Sequence, residues 1–278
     1  TLFRSKERGY THQVLVRLKQ TDHGILRNGI WAYTNERLCK DDLITVQIVE
    51  NECSDNIAPV NLPLDIAYED DDIIVINKPF DMPAHPSAGN HDNTLANALM
   101  YYYGSQNKPF VYRCINRLDR DTTGLTIVAK HALAGGILGN AVAKRAIHRT
   151  YYAVCSGCTP ACMRISAPIA RKDASTIERC VDFKRGENAV TDFIRIKYNP
   201  DNNLSLVKLR LLTGRTHQIR VHMKYIGFPL IGDFLYNPDY TYISRQALHS
   251  GRLVFTHPVT GQKMNLISDI PSDMKSLF

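Results

Sequence analysis

No run of apolar residues in this 278-residue chain approaches the ~20 that a membrane-spanning helix needs, and the leading TLFRSKERGY lacks the apolar segment of a secretory leader. A soluble protein acting in the cytoplasm is therefore expected, with no membrane partner. No glycine-rich phosphate loop is present either, which argues against a bound nucleotide. The seven cysteines are odd in number and irregularly spaced in a chain too long to depend on disulfides, so reduced thiols are expected. Internal repeats and low-complexity tracts are also absent.

What is present is enough apolar material, 44% of residues, to bury a large core, and an excess of cations, 34 Lys and Arg against 27 Asp and Glu, for a net charge of +7. That excess favours a polyanionic partner without requiring one. Residues 1–50 read as a small unit: a helical VLVRLKQ, a break at Gly24, a tight turn at Asn28-Gly29 inside ILRNGIWAY, and a β-prone LITVQIV. Residues 51–63, NECSDNIAPVNLP, are polar, hold two prolines and show no apolar period, so they read as a linker. Residues 64–278 form the larger domain. It opens on a buried strand in DDIIVINKP, followed by a helix after a Thr94 cap, TLANALMYYYG, and then by strands and single helices in irregular alternation. The fold class expected is α+β, a central sheet flanked by helices.

Four places could carry chemistry. The first is NRLDRDTTGL (116–125), which sets Asp119 between Arg117 and Arg120 and runs into the apolar strand LTIVAK. A surface ion-pair cluster is the bland reading. Against it, Leu118 and Leu125 tie the loop to the core, Thr122 and Thr123 can bond backbone, and Gly124 permits a sharp turn. Such a loop holds a carboxylate still, and near cations it stays ionised, as suits a base or a nucleophile.

The second is LSLVKLRLLTGRTHQIRVHMKYIG, a strand, a break at Gly214, and a helix that Thr216 could cap, near which Arg215, Arg220 and Lys224 gather. Ile219 and Val221 flank Arg220 closely enough to turn its head into a cleft. His217 and His222 lie five apart with no intervening glutamate, which is not zinc-protease spacing. Third, Tyr151 and Tyr152 point to opposite faces of a strand, one for the core and one free to meet a flat ligand such as a base. Fourth, Cys155, Cys158 and Cys162 suggest zinc, but a closed site needs four ligands and only the distant Cys180 or His148 could complete it, so no metal is expected.

Taken together, NRLDRDTTGLTIVAK, INKPFDMPAHPS, RTYYAVCSG, TGRTHQIRVHMKYIGFPLIGDFLY and ALHSGRLVFTHPVTGQKMNL resemble, in the same order, the motifs of the RluA-type pseudouridine synthases. ILRNGIWAYTNERLCKDDLITVQIV more weakly resembles the small alpha-L RNA-binding module that often precedes that domain. The resemblance implies the pseudouridine synthase fold, with a mixed, largely antiparallel sheet and a small N-terminal α/β RNA-binding module. It implies isomerisation of a specific uridine in structured ribosomal or transfer RNA, by a monomer that needs no cofactor.

It also implies roles for residues. Asp119 is the catalytic carboxylate, Arg220 the cation paired with it, and Tyr151 the ring that packs on the target base. Arg117 enters the space that the base vacates, and Thr122, Arg215 and His217 join it in binding substrate. Three positions depart from the common pattern: Asn116 stands where histidine is usual, Thr123 where serine is common, and Arg149 where lysine is usual. The Cys158–Cys180 region fits poorly. The alternative is a non-catalytic RNA-binding or ribosome-assembly factor on the same fold, which could tolerate loss of Asp119.

Overall fold

The computed structural model describes residues 10, 12–33, 35–48, 50, 52–87, 89–173 and 177–278. The leading stretch 1–9, where no leader is expected, lies outside the described residues, as do single positions in the N-terminal unit and the first residue of the linker. Among the described residues no helix is long and apolar enough to cross a membrane.

The N-terminal unit is helix α1 (His12–Gln20) against an antiparallel sheet of β1 (Ile25–Arg27), β2 (Ile30–Trp31) and β3 (Ile44–Val46). Asn28 and Gly29, at φ 52° and 82°, make the turn with both residues left-handed that the Asn-Gly pair favours. Val14, Leu18, Ile25 and Ala32 form its small core, which also takes in Leu133 of the larger domain. Residues 52–63 contain no helix or strand. They are nonetheless fastened to the larger domain: Ile57 and Leu62 pack on an apolar cluster, Val60 N donates to Asn97 O, and Asn97 Nδ2 donates to Ala58 O.

The larger domain runs β4 (Ile66–Glu69), β5 (Ile73–Lys78), α2 (Leu95–Gly104), β6 (Arg113–Cys114), β7 (Thr123–Ala129), α3 (Ala132–Ala143) and β8 (His148–Ser156). It continues through β9 (Cys162–Ser166), β10 (Ile169–Arg171), β11 (Arg179–Val181), β12 (Val190–Asn199), β13 (Leu204–Leu211), α4 (Gln218–Tyr225), β14 (Leu248–Thr256), β15 (Lys263–Ile267) and α5 (Ser272–Lys275). Among the described residues, ten strands share one sheet in the order β4-β5-β7-β14-β8-β13-β12-β9, with β6 paired to β7 and β15 to β14; β10 and β11 form a separate hairpin. All pairings in the large sheet are antiparallel except β7 with β14, which run parallel where Thr123 faces His249 and Gly124 faces Ser250. Strand β14 therefore joins two antiparallel halves.

Strand β5 reads as an unbroken apolar run because both of its faces are covered. Ile73 and Val75 pack with α3 residues, and Ile74 and Ile76 with α2 residues. Each such side chain contributes about 1.5–3 kcal/mol of burial. Thr94 caps α2 as expected, in a reciprocal box with Asn97: Asn97 N donates to Thr94 Oγ1 at 3.3 Å and Thr94 N to Asn97 Oδ1 at 3.1 Å.

The expected Thr216 cap on α4 is a correction. The residue preceding the helix is His217, left-handed at φ 55°, and no side chain caps through it. Gln218 satisfies the turn instead, its Oε1 accepting from Arg215 N at 2.9 Å and from Thr213 Oγ1 at 2.8 Å, while Thr216 is exposed.

Candidate active site

The loop between β6 and β7 carries Asp119, and its hydrogen bonds explain why it is held. Asn116 is buried, and its carboxamide completes the edge of β7: Oδ1 accepts from Ile127 N at 2.8 Å and Nδ2 donates to Leu125 O at 3.3 Å. The departure from histidine therefore leaves a position that anchors the loop. Thr122 N donates to Asp119 O, and Met82 N to Arg120 O. Lys78, only 1% exposed, reaches from the end of β5 and donates through Nζ to Pro79 O at 2.7 Å and Arg120 O at 2.8 Å. Burial pulls its ammonium down to about 7, against the opposing pull of Asp121 and Asp119. Gly124 sits at φ 104° directly against the backbone of Ser250, an approach no side chain would allow.

The two loop aspartates have different partners. Asp121 pairs with its neighbour Arg120, at 3.1 Å, the local ion pair that the bland reading foresees. Asp119 instead accepts at Oδ2 from Nη1 of Arg220, 101 residues away, at 2.9 Å. Arg220 is 1% exposed, and its remaining nitrogens grip Asp233, Nε to Oδ2 at 2.7 Å and Nη2 to Oδ1 at 2.8 Å. Asp233 Oδ1 also accepts from the backbone nitrogens of Leu235 and Tyr236. The rings of Phe234 and Tyr236 lie 5.3 and 5.0 Å from the guanidinium carbon. Burial alone would make Arg220 easier to deprotonate, but the bonds and charge of Asp233 and the charge of Asp119 outweigh it and raise its pKa. The cation is permanent, and Asp119 meets it while keeping 29% of its own side chain open to solvent.

Around this pair lie the other expected residues. Tyr151, on β8, is 5% exposed, and its phenol is raised by burial, lowered by Arg149 and raised again by Asp119. Its neighbour Tyr152 turns to the opposite face and packs near the C-terminal residues. Asp119, Tyr151, Arg220, Arg117, Thr122, Arg215 and His217 all line one pocket of about 90 Å³. It adjoins a cleft of about 1170 Å³ whose wall includes seven arginines and two aspartates. A groove so lopsided in charge suits a polyanion.

Within the pocket the expected substrate groups differ in freedom. Arg117 is exposed. Arg215 pairs with Glu187 and donates to Asn188 O. Thr122 is buried and its hydroxyl accepts from Gln246 Nε2. The Nη end of Arg149 approaches Gly214, where an added Cβ would come 3.3 Å from Nη2.

Cys155, Cys158 and Cys162 do not line the pocket or the cleft, whereas Cys114 lies in the cleft wall. Cys155 is buried, while Cys158 and Cys162 are exposed. Among the described residues the one group of metal-type side chains brought together is Asp70, Asp72 and His257. Most of its atoms are engaged: Asp70 accepts from Tyr68 Oη and the backbone of Asp72 and Ile73, and His257 Nδ1 accepts from the nitrogens of Val259 and Thr260, while His257 Nε2 lies 2.9 Å from Asp70 Oδ2 without forming a hydrogen bond. That cluster reads as a hydrogen-bonded support for the sheet.

The family model for RNA pseudouridylate synthase matches residues 72–225. The chain belongs to this family. It is 38% identical over 274 residues to the uncharacterized RNA pseudouridine synthase YjbO of Bacillus subtilis, covering 98% of this chain and 95% of that protein. It is 41% identical over 245 residues to the ribosomal large subunit pseudouridine synthase D of Haemophilus influenzae, covering 83% of this chain and 75% of that protein. Among solved structures, human RNA pseudouridylate synthase domain containing 1 superposes with a TM-score of 0.63 at 26% identity, over 74% of this chain and 83% of that one. The mixed, largely antiparallel sheet is thus the pseudouridine synthase fold expected from the motifs.

Three residues of the candidate site are not marked by the sequence. Asp233 and Tyr236 lie within FPLIGDFLY, a stretch read only for likeness, and Lys78 ends a strand and reads as its polar stop. An acid following Gly232, which turns at φ 66°, is the signal that could have marked Asp233.

Proposed function

We propose that this synthase isomerises a uridine of structured RNA, ribosomal or transfer, as a cytoplasmic monomer, with Asp119 as the catalytic carboxylate, Arg220 as its cation and Tyr151 as the ring that packs on the base. The reading rests above all on one observation. An ionisable carboxylate, fixed by a buried arginine at 2.9 Å, lies part-exposed at the floor of an arginine-lined cleft.

The reaction breaks N1–C1′ and joins C5 to C1′. The proton on C5 leaves and N1 gains one, so atoms and electrons balance without an oxidant, reductant or energy source. Its demands on the protein are correspondingly few: a fixed anion at the sugar, a surface to hold the detached base, and a proton acceptor near C5. Asp119 supplies the first and Tyr151 the second, with its phenol oxygen in reach of the third role. The target must leave its stack, at a cost of a few kcal/mol, and Arg117, exposed at the pocket rim, fills the gap. Thr122, Arg215 and His217 complete the pocket wall. Residues 64–278 are the catalytic domain, and 1–50 a small RNA-contacting unit joined through 51–63.

Asp119→Asn tests the assignment. The amide keeps the shape and loses the charge, so pseudouridine formation should be abolished while RNA affinity, dominated by phosphate contacts, changes little. Near-normal turnover of this variant would sink the proposal.

A further inference from the structure

A second polar chain runs from Arg179 through Tyr236 to His217, beside Asp119, and it bears on which nitrogen of His217 carries the proton. Arg179 N donates to Tyr236 Oη at 2.9 Å, occupying that oxygen as an acceptor. Tyr236 Oη is also 2.9 Å from His217 Nδ1, and among the described residues no other acceptor lies within hydrogen-bond distance of the phenol hydrogen, so we assign that hydrogen to Nδ1 and make Nδ1 the acceptor. The neutral ring therefore bears its hydrogen on Nε2, which lies 3.9 Å from Asp119 Oδ2. That is beyond a hydrogen bond.

His217 faces Asp119, Arg220, Asp233 and Arg179, and burial, the largest influence, lowers its pKa, so the ring is neutral at neutral pH. Its backbone is held left-handed at φ 55° immediately before α4, which places the ring at the pocket wall. The result is an N–H with no acceptor within hydrogen-bond distance among the described residues, beside the carboxylate and 12% exposed.

We propose that His217 Nε2–H is a catalytic hydrogen-bond donor to an oxygen of the target nucleotide next to Asp119, and that Tyr236 is the positioning residue that selects this tautomer. The inference rests on Asp119 being the catalytic carboxylate. The acceptor is either the ribose 2′-hydroxyl or a uracil carbonyl, both close to the bond that breaks.

The test combines ¹⁵N spectra of the full chain with single-turnover rates on RNA. In the wild type His217 should show a protonated Nε2 and a bare Nδ1. Tyr236→Phe should mix the two tautomers and slow turnover about tenfold, with RNA affinity unchanged. His217→Ala should lose on the order of 10²-fold, the scale of one lost donor to developing charge. His217→Gln, which can place an amide N–H at the Nε2 position, should recover most of that loss. A 2′-deoxyuridine target distinguishes the acceptors: the His217→Ala defect disappears there if the 2′-hydroxyl accepts, and persists if the base does.

A wild-type His217 with a bare Nε2, or a Tyr236→Phe variant with unchanged tautomer and unchanged rate, overturns the inference. Loss of activity in Asp119→Asn alongside either result leaves the catalytic reading standing and removes only this one. An active Asp119→Asn removes that reading, while the tautomer is still measured directly.

Discussion

Asp233 holds Arg220 through two hydrogen bonds, at 2.7 and 2.8 Å, with both side chains sealed from solvent. Asp119 receives only one, at 2.9 Å. The arginine is thus built into the fold by one carboxylate and presented to the part-exposed Asp119 by its remaining edge. The planar fork makes this possible, since a lysine could not serve both acids in fixed directions.

Replacing Arg220 by Met strands the buried Asp233 carboxylate. Breaking such a pair costs roughly 3–5 kcal/mol, so urea unfolding should show a large loss of stability along with loss of activity. Adding Asp233→Asn removes the stranded charge, and the double variant should regain part of the stability without regaining turnover. Equal stability in the single and double variants would contradict the arrangement.

Gly124→Ala should damage the protein out of proportion to one methyl. The new Cβ would stand 2.7 Å from the backbone nitrogen of Ser250, at a φ of 104° that side chains rarely adopt. Strain alone costs roughly 1–3 kcal/mol, and relief requires parting β7 from β14. Thermal melting should show a marked drop, and a wild-type melting temperature would count against the close approach.

Lys78 makes stability depend on pH in a defined direction. Burial leaves its folded pKa at about 7, whereas the unfolded chain holds that proton to about 10.4. Between the two the unfolded state binds more protons, so stability rises as pH rises through this window and falls again on return toward 7. Lys78→Met should flatten that part of the profile, as read from urea midpoints between neutral and alkaline pH. The same slope in both proteins would refute it. Turnover should also fall if Asp119 is the catalytic carboxylate, because Pro79 O and Arg120 O lose the donor that holds its loop.

Two truncations test the domain division. Removing residues through 51 keeps Ile57, Leu62 and the Asn97 contacts, so the remainder should fold while binding RNA more weakly. Removing residues through 62 strips the cover from α2 and should lower the melting temperature further. An unfolded product of the shorter truncation would mean that the contact between Leu133 and the N-terminal unit holds a single core.

Much of this architecture is legible in the sequence, and the limits have physical causes. Thr94 and the Asn-Gly turn act through neighbours within three residues, so local chemistry determines them. The pairing of Asp119 with Arg220 spans 101 positions. No local rule reaches that far, and only the ordered motifs supply it. The misplaced α4 cap shows the opposite case. Thr216 has the right chemistry for a cap, but Gln218 is held by Thr213, Thr191 and the backbone of Val190 and Arg215, and it fixes the turn itself. Asp233 escapes notice because a buried acid looks like any surface acid until its partner is known.

The placement of β14 between β7 and β8 also has a consequence for how the enzyme is made. Residues 116–125 leave the ribosome long before their supports do, since Gln246 and Leu248, which bond Thr122 and Thr123, lie more than a hundred positions further along the chain. At synthesis rates of about 5–20 residues per second, the Asp119 loop must wait on the order of ten seconds for strand β14. During that interval the nascent chain has the acid and lacks the geometry. The loop therefore gains its fixed geometry late, when β14 closes the gap between the two half-sheets.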